Sequence, residues 1–149
     1  MAAMTMTEKI LARHAVERGV ALSIELHDDG LLDNACMCRR FIETINEPNA
    51  GANPDVGNIC RDSQFPGDWE HALQELAPLT NCWHVKNYRN GLAATLDCGD
   101  IDYRRAMQIM IGAGYAGWVS IESRIGDFRE TQSSAIGYLR RLEEAVHEL

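Results

Sequence analysis

Glu25, Asp55, His84 and Glu122 each stand at or just beyond the end of a short apolar run, and together they are the strongest chemical signal in the chain. The clearest of these runs is Asn81-Cys82-Trp83-His84-Val85-Lys86-Asn87-Tyr88, which presents a histidine and then a lysine. A single carboxylate in such a place is ordinarily a helix cap or a loop anchor. A single histidine beside a tryptophan is ordinarily a core or rim residue. Four in register carry more weight, because acids that follow buried strands are costly to desolvate without a counter-charge. Two glutamates, an aspartate and a histidine make a mixed oxygen and nitrogen set suited to Mn²⁺, Mg²⁺, Co²⁺ or Zn²⁺ rather than to a soft thiolate site.

The elements that must position these residues alternate between helix and strand. The reading is a polar lead over 1–7, a helix over 8–19 capped by Thr7 and stopped by Gly19, and four strand-helix units over 20–149. Val20 to Leu26 is apolar at nearly every residue, the pattern of a strand buried on both faces. A helix from about Leu31 to Ile45 follows, and Ala50 to Ala52 is a short second strand leading into the loop Asn53-Pro54-Asp55-Val56-Gly57-Asn58. Asp68 caps a helix with apolar Trp69, Ala72, Leu73 and Leu76. The third strand is Cys82 to Val85, and a long loop rich in Gly, Asn and Asp occupies 87–100. Ile101 to Gly112 is helical, Trp118 to Glu122 is the fourth strand, and Phe128 to His147 is the last helix. Strands separated by crossover-length helices form a parallel α/β sheet. A (β/α)8 barrel takes about 250 residues, so 149 residues correspond to four parallel β/α units, half of a TIM barrel, in one domain. In such barrels the working residues sit at the carboxyl ends of the strands, where all four candidates fall.

Charge narrows the function classes. A net charge of -8 and a pI near 5.0 oppose binding to nucleic acid, which rests on clustered Lys and Arg. No apolar run approaches a membrane span and the first residues lack an apolar signal core. Cys36, Cys38, Cys60, Cys82 and Cys98 are odd in number and contain no CxxC, so they read as reduced core or near-core thiols. The expectation is a soluble cytoplasmic protein that meets neither nucleic acid nor membrane.

The chain resembles the xylose isomerase-like barrels, a family of sugar isomerases and epimerases, inosose-type isomerases and dehydratases, and type IV endonuclease relatives. The matching pieces are Gly19 to His27, Asn53-Pro54-Asp55-Val56-Gly57-Asn58, His84-Val85-Lys86-Asn87, Gly99-Asp100-Ile101-Asp102-Tyr103 and Gly114 to Glu122. They cover the chain from about Glu8 onward and correspond to strands five to eight. In epimerase-type members a Glu, an Asp, a His and a Glu on those strands hold one divalent ion, which implies Glu25, Asp55, His84 and Glu122 as metal ligands. The two glutamates there also serve as acid and base, which implies Glu25 and Glu122 as catalytic residues. By the same resemblance His27, Lys86 and Arg89 face substrate oxygens, and Asn58 stands where some members place a histidine. Asp97 occupies a place where glycine is usual.

The implied chemistry is isomerisation or epimerisation of a sugar or polyol ketone through an enediolate, with either glutamate fitting either role. A four-stranded parallel sheet exposes two edges and much of its inner face. A homodimer of half-barrels, or a partner that supplies the other half, is therefore expected. The alternatives are an inactive or regulatory half-barrel acting as an interaction module, and an endonuclease-like phosphodiesterase, which the acidic charge disfavours.

Overall fold

A computed structural model describes residues 2–28, 30–61, 68–123 and 125–147. Along the chain lie α1 (Ala2–Val16), β1 (Leu22–Glu25), α2 (Ala35–Ile45), β2 (Ala50–Asn53), α3 (Gly57–Arg61) and α4 (Trp69–Leu76), the last running into a 3-10 turn over Ala77–Leu79. They are followed by β3 (Trp83–Val85), β4 (Asn87–Arg89), β5 (Leu92–Ala94), α5 (Tyr103–Gly112), β6 (Val119–Ile121) and α6 (Phe128–His147). This is the α/β, TIM-barrel-like alternation of parallel strands and helices. Among the described residues no helix is long and apolar enough to cross a membrane.

Short polar side chains start the helices. Asn34 accepts a hydrogen bond from the Met37 amide, so α2 begins at Ala35 rather than near Leu31. Asp68 accepts from the His71 amide and Asp102 from the amides of Arg104 and Arg105. At the other end of the chain α1 already begins at Ala2, so most of the segment read as a polar lead is helical.

The strands that carry the site form two parallel pairs. Leu22 to Glu25 run beside Ala50 to Asn53, and Trp83 to Val85 run beside Val119 to Ile121. β2 is tied to the chain just before β3 by a bridge between Ala52 and Thr80 and by the Asn81 and Cys82 amides, which donate to the Ala52 carbonyl, and side-chain amides add to these. Asn53 Oδ1 accepts from the His84 amide at 2.8 Å. Asn81 reaches past β2 to β1, its Nδ2 donating to the Leu22 carbonyl at 2.8 Å and its Oδ1 accepting from Ser23 Oγ at 2.6 Å. The β1-β2 and β3-β6 pairs, each a two-stranded sheet, are thereby held side by side. Behind it the helices cover a core built on Leu26, Ile45, Leu73, Leu76, Trp83, Tyr103 and Met110, all of them fully buried. Trp83 meets the Tyr115 ring edge-on at 6.4 Å.

The segment 87–100 is not the plain loop expected from its composition. β4 and β5 pair antiparallel, Asn87 opposite Ala94 and Arg89 opposite Leu92. Asn90 and Gly91 form the two-residue turn with φ of 52° and 76°, the left-handed conformation a tight hairpin demands and Asn-Gly best supplies.

Among the described residues β1 pairs with β2 alone and β6 with β3 alone. Large apolar side chains are exposed near both: Met6, Ile10, Leu11, Val16 and Val20 at the α1/β1 end, and Trp118, Val119, Phe128 and Ile136 at the β6/α6 end.

Candidate metal centre

Each of the four candidate ligands is delivered by a different strand or by the residues just after it. Glu25 is the last residue of β1, Asp55 lies two residues beyond β2, His84 is the middle of β3, and Glu122 follows β6. Parallel pairing brings these ends together, and Glu25, Asp55, His84 and Glu122 offer ligand atoms that all lie within 4.8 Å of one another. Two ligands on opposite sides of one ion stand at most about 4.2 Å apart, twice a metal-oxygen distance of about 2.1 Å. The donors therefore suit a single ion after small side-chain adjustments.

Burial in the group falls on Asp55, while Glu25, His84 and Glu122 stay partly exposed. Asp55 is fully buried, its Oδ1 accepting from the Gly57 amide at 3.1 Å, while its Oδ2 completes no directed hydrogen bond among the described residues. His84 Nδ1 is likewise buried and unpartnered, 3.6 Å from Glu25 Oε1 and 4.0 Å from Asp55 Oδ2. Two buried polar atoms that complete no directed hydrogen bond among the described residues, close to two further acids, are an arrangement that a bound cation satisfies.

Lys86 supplies the nearest positive charge. Its Nζ donates to Glu122 Oε2 at 2.7 Å and lies 2.9 Å from Asp55 Oδ2. Burial pushes the Asp55 carboxyl up to about 6 against the pull of this ammonium. The hydrogen bond from Lys86 holds the Glu122 carboxyl below its usual range. For Lys86 itself burial favours the neutral amine, but Asp55 and Glu122 outweigh it and raise the pKa. Gly57 makes the close approach feasible: a Cβ there would strike the Lys86 stem and come within 2.9 Å of the Lys86 carbonyl oxygen.

Beside the group opens a cavity of about 260 Å³ lined by His27, Arg61, Lys86, Tyr88, Glu122 and Ser123, among others. It is just below the roughly 300–1,000 Å³ of pockets for larger ligands. Of the residues expected to face substrate, His27 and Lys86 line it. Arg89 lines a neighbouring open depression with Leu92 and Cys98 rather than this cavity. Asn58 is almost fully buried and donates from Nδ2 to the Leu26 carbonyl at 2.9 Å, tying α3 to the end of β1. A larger cavity of about 590 Å³, bounded by Asp97, Ser123, Thr131 and Arg141, contains none of the four donors.

Arg61 was not singled out in the sequence. Its guanidinium donates to Asp28 Oδ2 at 2.6 Å, while His27 Nδ1 lies 2.6 Å from the Asp28 carbonyl oxygen, so Asp28 gathers both toward the cavity. The Asp28 acid immediately after His27 was the available signal. Tyr88 and Ala93 also line the cavity, placed there by the hairpin that composition alone did not reveal.

This parallel α/β arrangement, with acid and imidazole ligands at its strand ends, defines a barrel-type site. The sequence matches the model of the xylose isomerase-like TIM barrel over residues 7–142, and the chain belongs to that family. A xylose isomerase-like TIM barrel protein from Mycobacterium smegmatis, solved in complex with magnesium, superposes with a TM-score of 0.83 at 26% identity, covering 93% of this chain and 49% of that one. A xylose isomerase domain protein from Planctomyces limnophilus gives a TM-score of 0.83 at 21% identity, over 99% of this chain and 55% of that one. An L-ribulose 3-epimerase gives 0.78 at 19% identity, over 97% and 54%. The chain thus spans about half the length of these solved structures, and sugar epimerases are among its neighbours in fold. A comparison with curated proteins found no match.

Proposed function

We propose that this chain carries the metal-binding half of an isomerase or epimerase acting on a sugar or polyol ketone, with residues 1–149 as one half-barrel domain. The observation that carries the reading is the convergence of Glu25, Asp55, His84 and Glu122 from four successive parallel strands. Mn²⁺, Mg²⁺, Co²⁺ and Zn²⁺ all suit this donor set. Such an ion, when bound, stabilises the negative charge of an enediolate as a Lewis acid.

The chain's own groups supply the rest. Glu25 and Glu122 approach the shared centre from β1 and β6, so one removes a proton from the carbon beside the carbonyl and the other returns one. Return of the proton to the opposite face of the same carbon inverts that centre and gives epimerisation, whereas its return to the former carbonyl carbon, with the proton of the neighbouring hydroxyl given up, moves the carbonyl and gives isomerisation. His27, Arg61 and Lys86 line the adjoining cavity and offer donors to substrate hydroxyls. Arg89 and Asn58 act less directly, Arg89 from outside the cavity and Asn58 by fixing the end of β1. The test is exchange of solvent deuterium into keto sugars by the manganese-loaded protein, together with its metal content. Glu25→Gln and Glu122→Gln should each abolish exchange, and retention of exchange in either variant removes that glutamate from the chemistry.

Half a barrel leaves one wall of the site open. Both free edges with their apolar flanks occur in the same chain, so two copies related by a twofold axis would pair β6 of each with β1 of the other and close eight strands. We take a second copy as the partner. Light scattering should give twice the 16.6 kDa chain mass, and Trp118→Asp, at a side chain 85% exposed, should return a folded monomer. A wild-type monomer at tens of micromolar would favour the second reading, an interaction module without activity, which the exposed edges also support.

A further inference from the structure

Lys86 is only 7% exposed, an uncommon place for a lysine. Its backbone is fixed by the Tyr103 hydroxyl, which donates to the Lys86 carbonyl at 2.7 Å, and its stem packs against Gly57. The ammonium consequently sits between two carboxylates from different strands, hydrogen-bonded to Glu122 and in charge contact with Asp55. The two contacts differ in kind. Glu122 Oε2 accepts a directed hydrogen bond, whereas Asp55 Oδ2 is only electrostatically satisfied. A fully buried carboxylate without a nearby cation is strongly disfavoured, so something must hold Asp55 when no ion is present. The acids Glu25, Asp55 and Glu122 against the one ammonium leave two negative charges, the amount a divalent ion neutralises while the lysine keeps its proton.

We propose that Lys86 stands in for the ion in the metal-free protein: its ammonium holds Asp55 and Glu122 together across β2 and β6, and it yields Asp55 when a divalent ion binds. The inference rests on the metal-binding reading above. Beside its place in the cavity wall, Lys86 thus has a role toward the ligands, as a positioning residue that keeps the site assembled until the ion arrives. The same charge opposes the incoming cation, so metal affinity is held below what the three acids and the histidine alone would give.

Calorimetric titration with Mn²⁺ and thermal melting of Lys86→Met and Lys86→Gln test this directly. The metal-free variants should melt below the wild type, bind Mn²⁺ at least about tenfold more tightly, as expected for removing a unit charge a few ångströms from the ion, and recover most of the lost melting temperature when saturated. Equal or weaker Mn²⁺ binding overturns the proposal and makes Lys86 a support of ligand geometry instead. Variants that fold only with Mn²⁺ present support it. Should neither variant fold under any condition, a crystal structure of the unmodified protein grown with Mn²⁺ decides. A lengthened Lys86 to Asp55 separation with the Glu122 hydrogen bond kept supports the proposal, and an unchanged 2.9 Å contact overturns it. If the wild type binds no divalent ion at all, the metal reading itself fails, an outcome distinct from wild-type binding that Lys86 substitutions leave unaltered.

Discussion

Removing the Asn87 side chain should cost the protein a large part of its stability while touching no apolar core residue. Asn87 is 2% exposed. Its Nδ2 donates to the carbonyls of Leu96 and Ile101 at 2.9 and 3.0 Å, and its Oδ1 accepts from the amides of Tyr88 and Ile101 at 3.0 and 3.1 Å. One amide thus ties the start of the hairpin to the chain that leads into α5. A net hydrogen bond contributes about 1 kcal/mol, and a buried group left without a partner costs about 1–3 kcal/mol. Discounting the short-range bond to Tyr88, Asn87→Ala should lose about 3–4 kcal/mol, a large fraction of a typical 5–15 kcal/mol. Asn87→Asp should fare no better, since the one nitrogen that donates twice becomes an oxygen facing two carbonyls and a charge is buried. Urea unfolding followed by Trp83 fluorescence measures the loss, and amide hydrogen exchange at Ile101 localises it. A loss under about 1 kcal/mol, or unchanged protection at Ile101, would refute the reasoning.

Two further outcomes follow from the titrating groups. Asp55 must be ionised to serve a metal, and its pKa is raised to about 6, so a proton competes below that pH. Mn²⁺ affinity measured from pH 7.5 downward should hold roughly level and then fall by up to about tenfold per pH unit below about 6; a flat profile to pH 5 would exclude Asp55 as a ligand. Burial raises the thiols of Cys38 and Cys60 to about 11, so thiolate is scarce at pH 8. A disulfide reagent should label exposed Cys36 and Cys98 quickly in the native protein and reach Cys38 and Cys60 only on unfolding. Mass mapping of labelled peptides reads this out.

The four strands and the four candidate ligands were legible because apolar runs mark buried strands and a polar residue at the end of such a run stands out against them. The full extent of α6 was legible for a related reason, its apolar residues recurring at helical spacing over many turns. What stayed hidden was held by single side chains acting across the fold. Asn53, Asn81 and Asn87 replace or supplement backbone pairing, and no periodicity announces an asparagine that bonds to a distant strand. The hairpin did leave a local mark, Asn90-Gly91, but it was masked by the general Gly, Asn and Asp content of its surroundings. α3 is a single short turn of helix, and its start at Gly57 reflects the Asp55 carboxylate accepting that glycine's amide rather than any apolar pattern. Two of the cysteines read as near-core, Cys36 and Cys98, are exposed, since thiols carry too weak a polarity to betray their side of a helix or loop.

All four candidate donors arise from β1 and β3 and from the residues just after β2 and β6, strands backed by a core of their own. On the proposed reading, a second wall supplied by another chain would set which molecule is admitted, while Lys86 and its neighbours would set the grip on the ion.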